Sequence, residues 1–118
     1  MSRRASSRDE YPLKKFLQIA YDVAATSKCR QKHGAVVIKR GQVRSVAANQ
    51  RRGLVTDAYP HTIHAEELAL LRAGSTSAGA TLLVARVNRA GELRLSAPCR
   101  RCQGAIERAG IRRVIYTT

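Results

Sequence analysis

Two short motifs in this chain carry the residue types of a metal centre. His64-Ala65-Glu66 opens one stretch of helical periodicity, and Pro98-Cys99-Arg100-Arg101-Cys102 opens another. One imidazole and two thiolates make three zinc ligands. A tetrahedral Zn²⁺ then keeps one position open for water, which is the catalytic rather than the closed structural arrangement. Both ligand sets fall at predicted helix N-termini, where the positive end of the dipole favours thiolate over thiol. Pro98 supplies a fixed φ for starting such a turn. Two thiolates cancel the charge of the ion, which still lowers the pKa of its water towards ~7. Positions two apart on a helix do not share a face. Glu66 is therefore placed to meet that water, not to join His64 as a ligand. Its expected role is catalytic, as a proton shuttle from the water to a ring nitrogen and then to a leaving amine.

Other readings of the same residues exist. Cys-x-x-Cys alone serves as a redox pair, but that use leaves His-x-Glu without a purpose and expects the pair after an early strand. A closed structural site needs a fourth ligand, with His33, His61 or Cys29 as candidates, and leaves Glu66 unexplained. Cys29 reads as a partly buried free thiol, and His61 as a surface residue or a substrate-loop donor.

The elements that must position these residues can be read from periodicity. In 9–27, Leu13, Phe16, Leu17, Ala20, Tyr21, Val23 and Ala24 recur at helical steps, with Asp9 as N-cap and Pro12 in the first turn. Residues 34–39 and 43–49 read as a hairpin around Arg40-Gly41-Gln42. Residues 50–62 lack periodicity and read as a loop. A helix over 64–73 closes at Gly74, and 75–79 form a small-residue loop. A strand over 80–87, a turn at 88–91 and a short antiparallel return over 92–96 follow. A helix over 100–109 stops at Gly110, and 111–116 form the last strand. The order α-β-β-α-β-(β)-α-β predicts an α/β fold: a three-layer α/β/α domain with a mixed sheet.

The chain has 118 residues, 44% of them apolar, which suits one domain over 9–118 behind a basic, Ser/Arg-rich tail over 1–8 expected to be disordered. No apolar run approaches a membrane span, and the tail leads into no apolar signal segment. Three cysteines do not make a disulfide framework, so a reducing, cytoplasmic setting is expected. Lys+Arg 22 against Asp+Glu 8 leaves a net charge of +14. Such a charge points to a polyanionic partner, nucleotide phosphate or nucleic acid, although the cations are dispersed along the whole chain.

H-x-E … P-C-x-x-C resembles the signature of the cytidine and deoxycytidylate deaminase superfamily. The resemblance runs through His33-Gly34-Ala35-Val36-Val37-Ile38, Val46-Ala47-Ala48-Asn49, His64-Ala65-Glu66-Glu67-Leu68-Ala69, 98–106 and Arg113-Val114-Ile115-Tyr116. It implies zinc on His64, Cys99 and Cys102, Glu66 as general acid/base, Asn49 against the substrate, and the Ala65 backbone N–H against the base. Small relatives of this fold often complete their sites across neighbouring chains, so a homo-oligomer is expected. A His first ligand is the pattern of the deoxycytidylate, tRNA adenosine and polynucleotide branches. Residues 88–97 are longer than the family's usual link.

Two substrate readings follow. In the first, a free cytosine nucleoside or nucleotide is deaminated, and Arg30 or Lys28, or Arg51 and Arg52, meet a phosphate. In the alternative, cytosine or adenine in single-stranded nucleic acid or tRNA is the substrate, and the excess charge tracks the backbone. Aromatic residues for base stacking are scarce, with Tyr59 alone in a predicted loop near the site. The first reading is favoured.

Overall fold

The structure is a computed structural model that describes the backbone of residues 7–51 and 62–117 and the side chains of 14–50 and 63–117. Helix α1 (Ser7–Ala25) lies on one face of a five-stranded sheet. It buries Phe16, Ala20 and Ala24, one residue per four, with Phe16 and Ala20 packed in one cluster with Val36, Ile38, Leu83, Ala85 and Ile115. The opposite face of the same strands presents Ala35, Val37, Leu82 and Val84 to helices α2 (Ala65–Ala73) and α3 (Arg100–Ala109). Strands buried on both faces read as continuous apolar runs, which is why 34–38 and 80–85 lack polar alternation. The three-layer α/β/α architecture is as expected.

Strand β1 (Lys32–Lys39) is central. It pairs antiparallel with β2 (Gln42–Ala48) and with β5 (Thr81–Val87). The far edge of β5 is shared: β7 (Arg113–Tyr116) runs parallel to Thr81–Val84, and β6 (Leu93–Arg94) returns antiparallel on Arg86 and Val87. The sheet is therefore mixed, and the return within 92–96 is real but two residues long. Gly34 is where α1 meets β1. A Cβ there would lie 2.3 Å from the Ala20 carbonyl oxygen and 2.5 Å from the Ala24 nitrogen, so only glycine admits this approach.

Boundaries differ from the periodicity reading at several places. Helix α1 begins at Ser7, so Ser7 and Arg8 belong to the helix and Pro12 stands in its second turn; residues 1–6 of the expected tail lie outside the described residues. The helix ends at Ala25 because Thr26 turns both its N–H and its hydroxyl onto the Val23 carbonyl, and the Ser27 hydroxyl is drawn across to Asn49 at 2.6 Å. A two-residue ladder, β3 (Gln50–Arg51) with β4 (Thr62–Ile63), spans the ends of what reads as pure loop. Residues 74–77 wind into a 3₁₀ turn. The final strand starts at Arg113 because Gly110 adopts a left-handed conformation (φ 77°) that caps α3, and the Arg112 N–H then bonds the Ala80 carbonyl.

Candidate metal centre and reaction cavity

His64 and Cys99 occupy equivalent positions, each the N-cap of its helix in extended conformation, and neither side chain caps its own helix. Freed from capping, the two side chains turn towards each other, and Cys102 joins them from the first turn of α3. The His64 Nδ1 lies 3.2 Å from the Cys102 Sγ and 3.6 Å from the Cys99 Sγ. All three ligand atoms fall within 4.8 Å of one another. Tetrahedral zinc with bonds of about 2.0 Å to nitrogen and 2.3 Å to sulfur separates such ligands by roughly 3.5 Å. The donor set and its spacing fit that ion. Among the described residues no fourth side chain joins this group, as an open catalytic position requires.

The metal end is braced from several sides. Arg101 donates to the Glu67 carboxylate at 2.9 Å and ties α3 to α2. The Gln103 side-chain amide donates to the Pro98 carbonyl at 3.1 Å, holding the turn that carries Cys99. Burial pushes the Cys102 thiol well above its ordinary pKa, with the Glu66 carboxyl adding to the effect. A bound cation is the natural counterweight for the thiolate form.

Glu66 is only 5% exposed. Burial raises its carboxyl above the ordinary carboxylate range, partly offset by its own backbone N–H and by the neighbouring His64 and Cys102. It lines a cavity of about 580 Å³ with His64, Ala65, Cys99, Asn49 and Arg30. Glu66 and His64 thus line one chamber, and Glu66 is not among the residues of the ligand group.

Asn49 does more than face this cavity. Its side-chain oxygen accepts from the Ser27 hydroxyl at 2.6 Å and from the His33 N–H at 3.0 Å, while its amide donates to the Gln31 carbonyl at 2.7 Å. Asn49 therefore pins the whole 27–33 loop, and one amide hydrogen remains for a ligand. Cys29 is a free, buried thiol in the same loop, directed at the Asn49 carbonyl at 3.6 Å.

The cavity also contains Arg86, which motif reasoning passed over, and His33, which it offered only as a candidate fourth ligand. His33 and Arg86 are cross-strand partners on β1 and β5, and both line the chamber. Strand parity carried the signal. His33 shares a face with Ala35 and Val37, and Arg86 shares one with Val84 and Leu82, the face that α2 and α3 cover. The Arg86 Nε is buried without a hydrogen-bond partner. Burial and the Arg86 charge hold the His33 imidazole below its ordinary pKa. The long 88–97 segment supplies Leu95 and Ala97 to the cavity wall. It is anchored by Tyr21, whose hydroxyl donates to the Gly91 carbonyl at 2.7 Å, and by Ser96, whose hydroxyl donates to the Val84 carbonyl at 2.8 Å. Of the other candidates, Arg52, Tyr59 and His61 lie outside the described residues. Arg51 contributes its backbone to β3, and its side chain lies outside the description.

The model of the cytidine and deoxycytidylate deaminase zinc-binding region matches residues 10–118, and the chain belongs to that family. Among solved structures, the dCMP deaminase of cyanophage S-TIM5 is 25% identical over 95% of this chain and 84% of that one, with a TM-score of 0.63. The cytidine deaminase of Mycobacterium tuberculosis is 25% identical over 82% of this chain and 76% of that one, with a TM-score of 0.52. Acinetobacter baumannii RibD matches in fold at a TM-score of 0.62 and 22% identity, covering 90% of this chain but 28% of its own. The chain thus spans 28% of the length of that relative. A search of curated proteins gives no significant match. Among the described residues, no helix is long and apolar enough to cross a membrane.

Proposed function

We propose that the chain deaminates a cytosine nucleoside or nucleotide hydrolytically, giving the uracil product and ammonia. The observation that carries this reading is the buried Glu66 carboxyl in one chamber with His64 and Cys99, two members of the His64, Cys99 and Cys102 group. In this reading His64, Cys99 and Cys102 hold the ion. Zinc, when bound, supplies a water acidified towards neutrality and ready to attack. Glu66 takes a proton from that nucleophile and gives it to the ring nitrogen N3. The C4–O bond forms; Glu66 then takes the remaining proton from the hydroxyl added at C4 and passes it to the exocyclic nitrogen, and the C4–N bond breaks to release ammonia. The Ala65 backbone N–H lies in the first turn of α2, where N–H groups have no partner within the helix, and Ala65 lines the cavity, so this donor is suited to a base carbonyl. Asn49 offers its remaining amide hydrogen, and Arg30 stands at the cavity wall for a phosphate; Arg51 and Arg52 are further candidates for that contact.

Support for a free nucleotide comes from the S-TIM5 dCMP deaminase, whose structure in complex with dCMP and dUMP matches this chain at a TM-score of 0.62. A net charge of +14 favours the second reading, a cytosine or adenine within single-stranded nucleic acid or tRNA. Free cysteines fit a reducing, cytoplasmic setting, and a homo-oligomer is the assembly that the family resemblance implies.

The decisive assay incubates zinc-loaded protein with cytidine, deoxycytidine, dCMP and cytosine-containing single strands and follows ammonia. Turnover is expected on at least one free compound, and Glu66→Gln is expected to lose ~10²–10⁴-fold while retaining its zinc. Loss of zinc in that variant would make Glu66 a ligand. No ammonia from any cytosine compound would sink the reading.

A further inference from the structure

Beside the reaction cavity lies a second concavity of about 650 Å³, walled by Ser27, Lys28, Cys29, Arg30, Lys32 and Arg89. Cys29 and Arg30 belong to both walls. A molecule leaving the reaction cavity over these two residues enters the second cleft directly. We propose that this cleft receives a run of phosphate groups continuing outward from the nucleoside, so that the substrate carries more than one phosphate. The proposal rests on the deaminase reading and adds the substrate class to it.

Charge is the first argument. Lys28, Arg30, Lys32 and Arg89 line the cleft, and none of the described residues of its wall carries a carboxylate. Described carboxylates pair elsewhere, Glu92 with Arg94 and Glu67 with Arg101, and none of the four cleft cations is paired with a described carboxylate. Uncompensated cations in a concave wall focus the field and raise the local concentration of anions. One terminal phosphate is satisfied by one or two such groups, and Arg30 with Arg86 already stands in the reaction cavity. Lys28, Lys32 and Arg89 are left for further phosphates.

The second argument is preorganisation. The Ser27 hydroxyl donates to Asn49 and accepts from the Cys29 N–H at 3.1 Å, which holds the loop that bears Lys28 and Arg30. Arg89 sits in a turn closed by the Glu92 N–H on the Asn88 side chain at 2.9 Å and by the Gly91 N–H on the Asn88 carbonyl at 3.0 Å. The backbones carrying the cations are thus in place before any ligand arrives, which lowers the ordering cost of binding. Among the described residues the wall carries no aromatic ring on which a second base would stack, and its cationic lining suits phosphates.

Free polyphosphate and the phosphodiester backbone of a strand present this same chemistry, and the test separates them. The zinc-loaded 118-residue chain is assayed with deoxycytidine, dCMP, dCTP and a short single-stranded deoxyoligonucleotide containing one cytosine. Inorganic tripolyphosphate binding is measured by calorimetry as a readout independent of turnover. The expected result is kcat/KM at least tenfold higher for dCTP or for the oligonucleotide than for dCMP, whichever source is the natural one. In the double variant Lys28→Ala, Lys32→Ala, and separately in Arg89→Ala, that ratio should fall towards one and tripolyphosphate should bind at least tenfold more weakly. Melting curves and zinc content confirm that each variant is folded. Equal or better turnover of dCMP, or variants that keep both the ratio and the tripolyphosphate affinity, overturn the proposal. If no cytosine compound is deaminated, the function assigned above fails, and the tripolyphosphate measurement still decides the cleft.

Discussion

Asn49→Ala separates two roles that the residue could have. A side chain that only touches substrate can be cut back without cost to the fold. The structure assigns Asn49 three hydrogen bonds that hold residues 27–33 to the end of β2, and it leaves the residue 7% exposed. Truncation removes the acceptor of the His33 N–H and the donor to the Gln31 carbonyl. The Ser27 hydroxyl falls back on its longer bond to the backbone carbonyl of residue 49, 3.1 Å away. A buried polar group left without a partner costs about 1–3 kcal/mol. Gln31 is exposed and water reaches its carbonyl, so the low end applies there and the total is about 2–3 kcal/mol. For a domain of this size that lowers Tm by roughly 10 °C. Asn49→Asp keeps the acceptor oxygen but sets a carboxylate against the Gln31 carbonyl, so it too should be destabilised. Urea unfolding at saturating zinc reads the free energy, and steady-state kinetics on the same samples reads KM. KM should rise in parallel, because the loosened loop carries Arg30. Both variants unfolding within about 0.5 kcal/mol of the parent, a surface-like effect, would refute the assignment of Asn49 as the loop's anchor.

Three further outcomes are expected. Gly34→Ala should cost at least ~1–3 kcal/mol of overpacking, since the new Cβ meets backbone of α1 and not a side chain that can swing away; a melting temperature equal to the parent's would contradict the packing described. Chelation should lower Tm and re-addition of zinc should restore it, because a ligand bound only by the folded state adds its binding free energy to stability; metal analysis should return one zinc per chain. Burial and Arg86 hold the His33 imidazole below its ordinary value of 6.5, so the unfolded chain takes up the proton first as pH falls. Stability is then intact above about 6.5, declines as pH drops from there through the folded value, and levels off beneath it. The stability difference between the parent and His33→Asn isolates this contribution from the zinc site, and a difference that does not change with pH would remove His33 from the account.

Local order along the chain was sufficient to place the three helices and the main strands, though not the β3–β4 ladder or the 3₁₀ turn. Apolar spacing set α1 and its buried face at Phe16, Ala20 and Ala24, and unbroken apolar runs marked strands covered on both sides. His-x-Glu and Pro-Cys-x-x-Cys are local patterns at helix starts, so ligand types and the separate role expected of Glu66 could be read without coordinates. Boundaries were less legible because side-chain partners end helices, as Thr26 and Ser27 do for α1, and such partners are not periodic. Tertiary structure alone brought His64 to ligand distance of Cys99 and Cys102 across 35 and 38 residues. It also decided that Asn49 is occupied by the 27–33 loop, that His33 and Arg86 meet across two strands, and that Lys28, Arg30, Lys32 and Arg89 wall one cleft. Strand register and crossover connections create these juxtapositions, and they depend on the packing of the whole sheet, which no window of neighbouring residues records.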